Sequence, residues 1–256
     1  MIFKKIISDK KGILDTKLII MILVILVVVV TIVFLFKSNT FGFLENFLPD
    51  FGTEESIGTS VSGEVGGTQL AELMKTFSKI TITNYNNKAK SCNCGIDCDD
   101  YAKWIVNYSK ENSVEPVLVL ALMMQESNCN KGASSGSSYG LMQINAGVWC
   151  GQHGLPAKEN ENMEDCKKEL FAPEKSIEVG IKILKGYYNY EDKIYQSRIK
   201  SVCNNIDYQK QYLSYTDKWD AALRLYNGPG CVPPGADINY VENVNALYKK
   251  LKQNIK

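Results

Sequence analysis

Hydropathy divides the chain before any motif does. Residues 18–36 run for nineteen positions with Thr31 as the only polar side chain, a length that crosses a hydrocarbon core as a helix. Lys4, Lys5, Lys10, Lys11 and Lys17 precede this run against Asp9 and Asp15, and only Lys37 follows it closely. Positive charge favours the cytoplasmic side. The pattern therefore predicts a single-pass membrane protein with a cytoplasmic stub over 1–17, a transmembrane anchor over 18–36 and the remainder outside. A cleaved secretory signal would have a shorter apolar region and small residues at its cut; here Lys37-Ser38-Asn39-Thr40 follows, so the anchor is expected to stay. A prepilin-like cut after Gly12 would rest on Lys10-Lys11-Gly12 alone. Residues 37–68 read as a juxtamembrane segment carrying Phe41, Phe43, Phe47 and Phe51, then a flexible spacer of Gly, Ser and Thr.

Beyond the spacer the apolar period is helical. Over 69–80, Leu70, Leu73, Met74, Phe77 and Ile80 mark one face of a short helix. Over 100–109, Tyr101, Trp104, Ile105 and Tyr108 mark another, with Asp99 or Asp100 as N-cap. That aromatic stripe suits sugar binding too, but reads first as a core face. Pro116 fits a first helical turn. The eight residues that follow it, Val117 to Met124, include no polar side chain, so this helix is buried on every side. Further helical patterns cover 176–188, 218–226 and 239–251. Alternating Val, Ile and Thr runs are scarce after the anchor, so the fold class is mainly α, with one domain over 69–256. Residues 191–217 read as an inserted surface helix pair, or as one side of a groove.

Candidate chemistry sits where the apolar helix ends. Gln125, Glu126, Ser127 and Asn128 follow the apolar run abruptly, so the Glu126 carboxyl emerges from a hydrophobic wall. Desolvation disfavours the charged form and should raise its pKa. A carboxylic acid still protonated near neutrality can give a proton to a leaving oxygen, the first requirement of glycosidic cleavage. The bland alternative is a helix end fraying into water.

The surrounding residues carry a resemblance. Glu126-Ser127 is followed by Ser134 in a Gly/Ser loop and by Gly140-Leu141-Met142-Gln143-Ile144. Downstream come Ala172-Pro173-Glu174-Lys175-Ser176-Ile177 with Gly180, and Tyr226-Asn227-Gly228-Pro229-Gly230. In this order the segments resemble the motifs of the lytic transglycosylase and goose-type lysozyme superfamily. The resemblance implies a lysozyme-like α-helical catalytic domain with a substrate cleft, acting on the β-1,4 bond between N-acetylmuramic acid and N-acetylglucosamine in peptidoglycan. In that family one acidic residue, here Glu126, protonates the glycosidic oxygen and then acts as base. The substrate's 6-hydroxyl closes a 1,6-anhydro ring, with no cofactor, metal or enzyme nucleophile. Ser134 and Gln143 would line saccharide subsites, Tyr226 would hydrogen-bond the acid or the acetamido group, and Asn227 would hold the cleft turn. Asn145 stands where many members have Met, and the Tyr-Asn turn is one residue short, which touches subsite detail more than the acid.

Two other readings stay open. A goose-type hydrolase needs a second carboxylate to activate water, for which Asp165, Asp192 and Asp207 are available; a wall-binding module would keep the cleft without turnover. Partners implied are peptidoglycan strands and the membrane, with secretion or pilus machinery as one setting. The chain holds 29 basic and 28 acidic residues, a near-neutral balance that argues against nucleic acid.

All eight cysteines (Cys92, Cys94, Cys98, Cys129, Cys150, Cys166, Cys203, Cys231) follow the anchor, where an even set reads as disulfides whose pairing the sequence leaves open. Cys129, Cys150 and Cys231 stand near the motifs, so bridges are expected to pin the cleft loops. The competing idea, a metal cluster of Cys92, Cys94 and Cys98, lacks histidine partners, since His153 is the only histidine. A nucleophilic cysteine would likewise have only His153 as base.

Overall fold

The computed structural model describes residues 65–157, 163–231 and 237–255, all within the compact unit Ser56–Lys256. The stub, the anchor and nearly all of the expected spacer lie outside the described residues. Among those described, no helix is long and apolar enough to cross a membrane.

The architecture is mainly helical, as the period predicts. Helix α1 (Gly67–Lys79) buries Leu70, Leu73, Met74 and Phe77. Ile80, expected to extend that face, is exposed, because the helix has ended and Ile80 is already extended backbone. A two-stranded hairpin, β1 (Ile82–Thr83) and β2 (Ala89–Lys90), pairs Ile82 with Lys90. Helix α2 (Cys98–Asn112) begins ahead of the expected 100, so Asp99 and Asp100 lie in its first turn, where their charge suits the helix dipole. Tyr101 and Ile105 are buried, whereas Trp104 and Tyr108 are half-buried. The core face is narrower than the aromatic stripe suggests, and the Tyr108 hydroxyl donates to Glu174 at 3.1 Å.

Helix α3 (Pro116–Ser127) is the central rod: residues 117–124 are all buried. It packs against α2 on one side and against the last helix, α10 (Tyr240–Gln253), on the other. Asn128, in left-handed conformation at φ 52°, ends it. The chain then forms a small antiparallel sheet of β3 (Ser134–Ser135), β4 (Ser138–Tyr139) and β5 (Ile144–Asn145), with Ser134 opposite Tyr139 and Tyr139 opposite Ile144. After the short α4 (Ala146–Trp149) and α5 (Glu164–Phe171) comes α6 (Pro173–Tyr188), which opens ahead of the expected 176 because Pro173 fits its first turn.

Residues 191–217 do form a helix pair, α7 (Asp192–Val202) and α8 (Ile206–Leu213). The pair has a small core of its own, in which Tyr195, Ile199 and Tyr212 pack with Leu225 of α9 (Lys218–Asn227). A cavity of about 270 Å³ opens beside it, lined by Tyr187, Tyr190, Tyr215 and Asp217 among others and away from Glu126.

The cysteines pair as Cys92–Cys129, Cys94–Cys98, Cys150–Cys166 and Cys203–Cys231. Cys92, Cys94 and Cys98 therefore spend their sulfurs on bridges, not on a metal cluster. Three of the bridges lie beside the motif segments: one at the end of α3, one at the end of α4, and one joining the end of α7 to Cys231, which directly follows Gly230.

Candidate active site

Glu126 occupies the last turn of α3, partly open to solvent, with the buried Met124 and Met123 two and three positions before it. Burial raises its carboxyl from an ordinary 4.5 to about 7. The Tyr240 hydroxyl and the charge of Lys90 act in the opposite sense, and Asp237 adds a smaller upward push. Desolvation wins because the apolar rod strips water from most of the carboxyl, while a phenol and one ammonium return only part of that solvation. The hydrogen bond comes from Tyr240, which donates to Glu126 Oε1 across 114 positions of sequence. Tyr240 is itself buried, and burial together with the neighbouring Glu126 lifts its phenol well above its usual range, so it stays a donor.

The loop of residues 140–144 is held against this acid from several directions. Ser127 Oγ donates to the Leu141 carbonyl at 2.7 Å, tying the end of α3 to the loop. The Met142 amide donates to Ser176 Oγ at 3.2 Å, tying the loop to the start of α6. Tyr226 donates to the Met142 carbonyl at 2.9 Å, tying it to α9. Gly140 is required for space as well as for its φ of +76°: a Cβ there would lie 1.9 Å from the Leu170 carbonyl oxygen. Gly180 leaves room on α6 for Met142, which a Cβ would meet at 2.7 Å.

Tyr226 bonds the loop and not the acid, although the negative charge of Glu126 is among the causes that hold its phenol well above the usual range. Gln143, at φ 46°, donates from Nε2 to the carbonyls of Ala133 and Gly140, both at 3.0 Å, so its amide staples the hairpin. Ser134 is exposed on β3. Asn227 Oδ1 accepts from Arg224 Nη2 at 2.6 Å. Arg224 is fully buried and also donates to the carbonyls of Gly228 and Asp237, at 2.8 Å each, and to the Tyr212 hydroxyl at 3.2 Å. One guanidinium thus gathers the turn after α9 and the entry to α10, which suits its fork of donors.

Asp165, Asp192 and Asp207 each lie in the first turn of a helix, and none is among the charges that act on Glu126. The other carboxylate whose charge reaches Glu126 is Asp237, whose oxygens accept from the Asn239 amide at 3.2 Å and from Asn243 Nδ2 at 2.9 Å. His153 sits in a loop against Trp149, its pKa lowered by burial and by Lys182. Among the described residues, no cluster of three His, Cys, Asp or Glu could hold a metal ion.

Sequence reasoning missed Tyr240, Lys90 and Asp237. Tyr240 was read only as part of a helical face, and nothing local marks it, because its partner lies across the fold. Together the groups present a carboxyl that keeps its proton near neutrality, is oriented by a phenol, and can give and retake that proton at a solvent-facing edge.

No curated protein matches the chain. Among family models, the transglycosylase SLT domain matches residues 103–232, a span that contains Glu126, Ser134, Gln143, Tyr226 and Asn227. Since that span is half of the 256-residue sequence, the chain belongs to the transglycosylase SLT domain family.

Proposed function

We propose that the protein is a lytic transglycosylase that cleaves the β-1,4 bond between N-acetylmuramic acid and N-acetylglucosamine in peptidoglycan, with Glu126 as single acid and base. The reading is supported by one observation: within the span matched by this family, the Glu126 carboxyl, which the motif resemblance marks as the acid, has its pKa raised by burial to about 7 at a partly open edge of the fold. Glu126 would transfer its proton to the leaving glycosidic oxygen as the C–O bond breaks. The resulting carboxylate would then take the proton of the muramoyl 6-hydroxyl as that oxygen bonds to the anomeric carbon. The acid is restored and a 1,6-anhydro end results. A pKa near the working pH favours both halves of such a cycle.

Ser134, exposed on its hairpin, would meet the saccharide directly. Gln143, Tyr226 and Asn227 would act chiefly by holding the loop and turn that shape the subsites. Residues 18–36 would anchor the enzyme with its catalytic domain outside the membrane, within reach of the wall and of secretion or pilus machinery.

The test is incubation of the purified protein with peptidoglycan and mass analysis of the digest. Anhydromuropeptides are expected, and they should disappear with Glu126→Gln. Products with reducing ends would make the enzyme a hydrolase, and binding without products would make it a wall-binding module.

A further inference from the structure

The match to the SLT family begins at residue 103, yet a hairpin before it reaches the turn of α3 that carries Glu126. Strands β1 and β2 and the turn between them touch the helices that carry Glu126 and Tyr240. On the α3 side, the buried Asn84 donates through Nδ2 to Gln125 Oε1 at 3.1 Å, and Lys90 Nζ donates to the Gln125 carbonyl at 2.6 Å. On the α10 side, the Asn86 amide donates to Asn243 Oδ1 at 3.0 Å and Asn239 Nδ2 donates to Asn86 Oδ1 at 3.0 Å. Just past β2, the bridge Cys92–Cys129 and the Asn93 amide, which donates to the Asn128 carbonyl at 2.7 Å, fasten the strand to the end of α3. The hairpin is therefore a strap between the helix of Glu126 and the helix of Tyr240.

Lys90 is the one group of this strap that brings charge to the acid. It is half-buried, and the carbonyl it caps belongs to the residue immediately before Glu126. The end of a helix exposes carbonyls that lack intrahelical donors, and a cation there also meets the negative end of the dipole. We infer that Lys90 is a positioning residue for the reaction: it fastens the last turn of α3 and keeps a positive charge beside Glu126, steadying the carboxylate that exists between proton donation and proton recovery. This rests on the single acid and base cycle proposed above. The charged and titratable groups that bear on Glu126 are Tyr240 from α10, Asp237 from the entry to α10, Tyr226 from α9 and Lys90 from β2. Burial lowers the Lys90 pKa; of the charges that bear on it, Glu126 and Asp237 raise it and favour the ammonium, and Lys88 of the same strap lowers it.

The electrostatic sign is fixed. Lys90 lowers the Glu126 pKa, so removing its charge should raise that pKa and carry the alkaline limb of kcat/KM, where the general acid is lost, to higher pH. An opposite charge nearby commonly moves a carboxyl by ~1 pH unit or more, so a move of ~1 unit is expected at this partly open site. The experiment measures the pH profile of peptidoglycan cleavage for Lys90→Met, Lys90→Gln and Lys90→Arg. It also titrates Glu126 directly by carboxyl carbon NMR in protein labelled at glutamate. Lys90→Gln keeps a donor while losing the charge, and should move the limb and the NMR titration as Lys90→Met does; Lys90→Arg should restore both. Lys88→Met removes the neighbouring exposed charge and should leave both in place. If Lys90→Met or Lys90→Gln lowers the rate with the limb and the NMR titration unmoved, Lys90 is only a structural tie and the inference fails. Should the unaltered protein release no anhydro products, the functional reading fails instead, and the NMR titration still decides whether Lys90 sets the Glu126 proton affinity.

Discussion

Replacing Glu126 by Gln should make the fold more stable at alkaline pH while leaving its acid-side stability near that of the unaltered protein. In the folded chain the carboxyl is held at about 7 against an ordinary 4.5. Between those values the unfolded chain has released this proton and the native state keeps it. Native stability therefore falls as pH rises through that window and levels off above it. At ~1.4 kcal/mol per pH unit the full displacement would amount to ~3 kcal/mol. Because the side chain is partly open to solvent, screening reduces the expected penalty to ~1–2 kcal/mol. Gln has nearly the same shape and no charge to desolvate, so the variant should escape the penalty and show no such fall. Urea unfolding followed by tryptophan fluorescence, repeated in steps between about pH 4 and 8, measures both proteins across the window. A stability difference that stays constant with pH would refute the reasoning, since it would mean that Glu126 titrates alike in the folded and unfolded chains.

Tyr240→Phe removes the donor that favours the Glu126 carboxylate. It should raise the pKa of the acid further, shift the alkaline limb of activity upward, and lower kcat by ~10–100-fold, the worth of one charge-assisted hydrogen bond; an unchanged pH profile would exclude the role. Gly180→Ala puts a Cβ 2.7 Å from Met142 Cγ and should destabilise by ~1–3 kcal/mol through overpacking, read as a lower urea midpoint with activity falling alongside it. Arg224→Met leaves the carbonyls of Gly228 and Asp237 without this donor and releases Asn227, and should destabilise by ~1–3 kcal/mol for each buried acceptor left unsatisfied; a midpoint within error of the original would contradict the idea of a buried hub.

Much of this molecule follows from local physics. The all-apolar run after Pro116 reads as a buried helix, and the polar residues that end it put Glu126 at its edge, so a raised carboxyl was expected from spacing and desolvation; that this end packs instead of fraying into water was decided by the fold. Eight cysteines, all beyond the apolar run of residues 18–36, likewise pointed to bridges. The motif order indicated the family that the match over 103–232 shows.

What the tertiary structure decided is who faces the acid. Tyr240 lies 114 positions from Glu126, and Lys90 stands on a two-residue strand whose partners are set by packing and by the Cys92–Cys129 bridge. Hydropathy period records which face of an element is buried, but not which distant side chain meets it there. Tyr226 illustrates the difference: its place in a motif was readable, whereas its choice of the Met142 carbonyl over the Glu126 carboxyl depends on how α9 crosses the loop of residues 140–144. One-dimensional pattern thus pointed to the Glu126 carboxyl and its hydrophobic setting, and the geometry of long-range contact determined the phenol, the ammonium and the carbonyls that surround it.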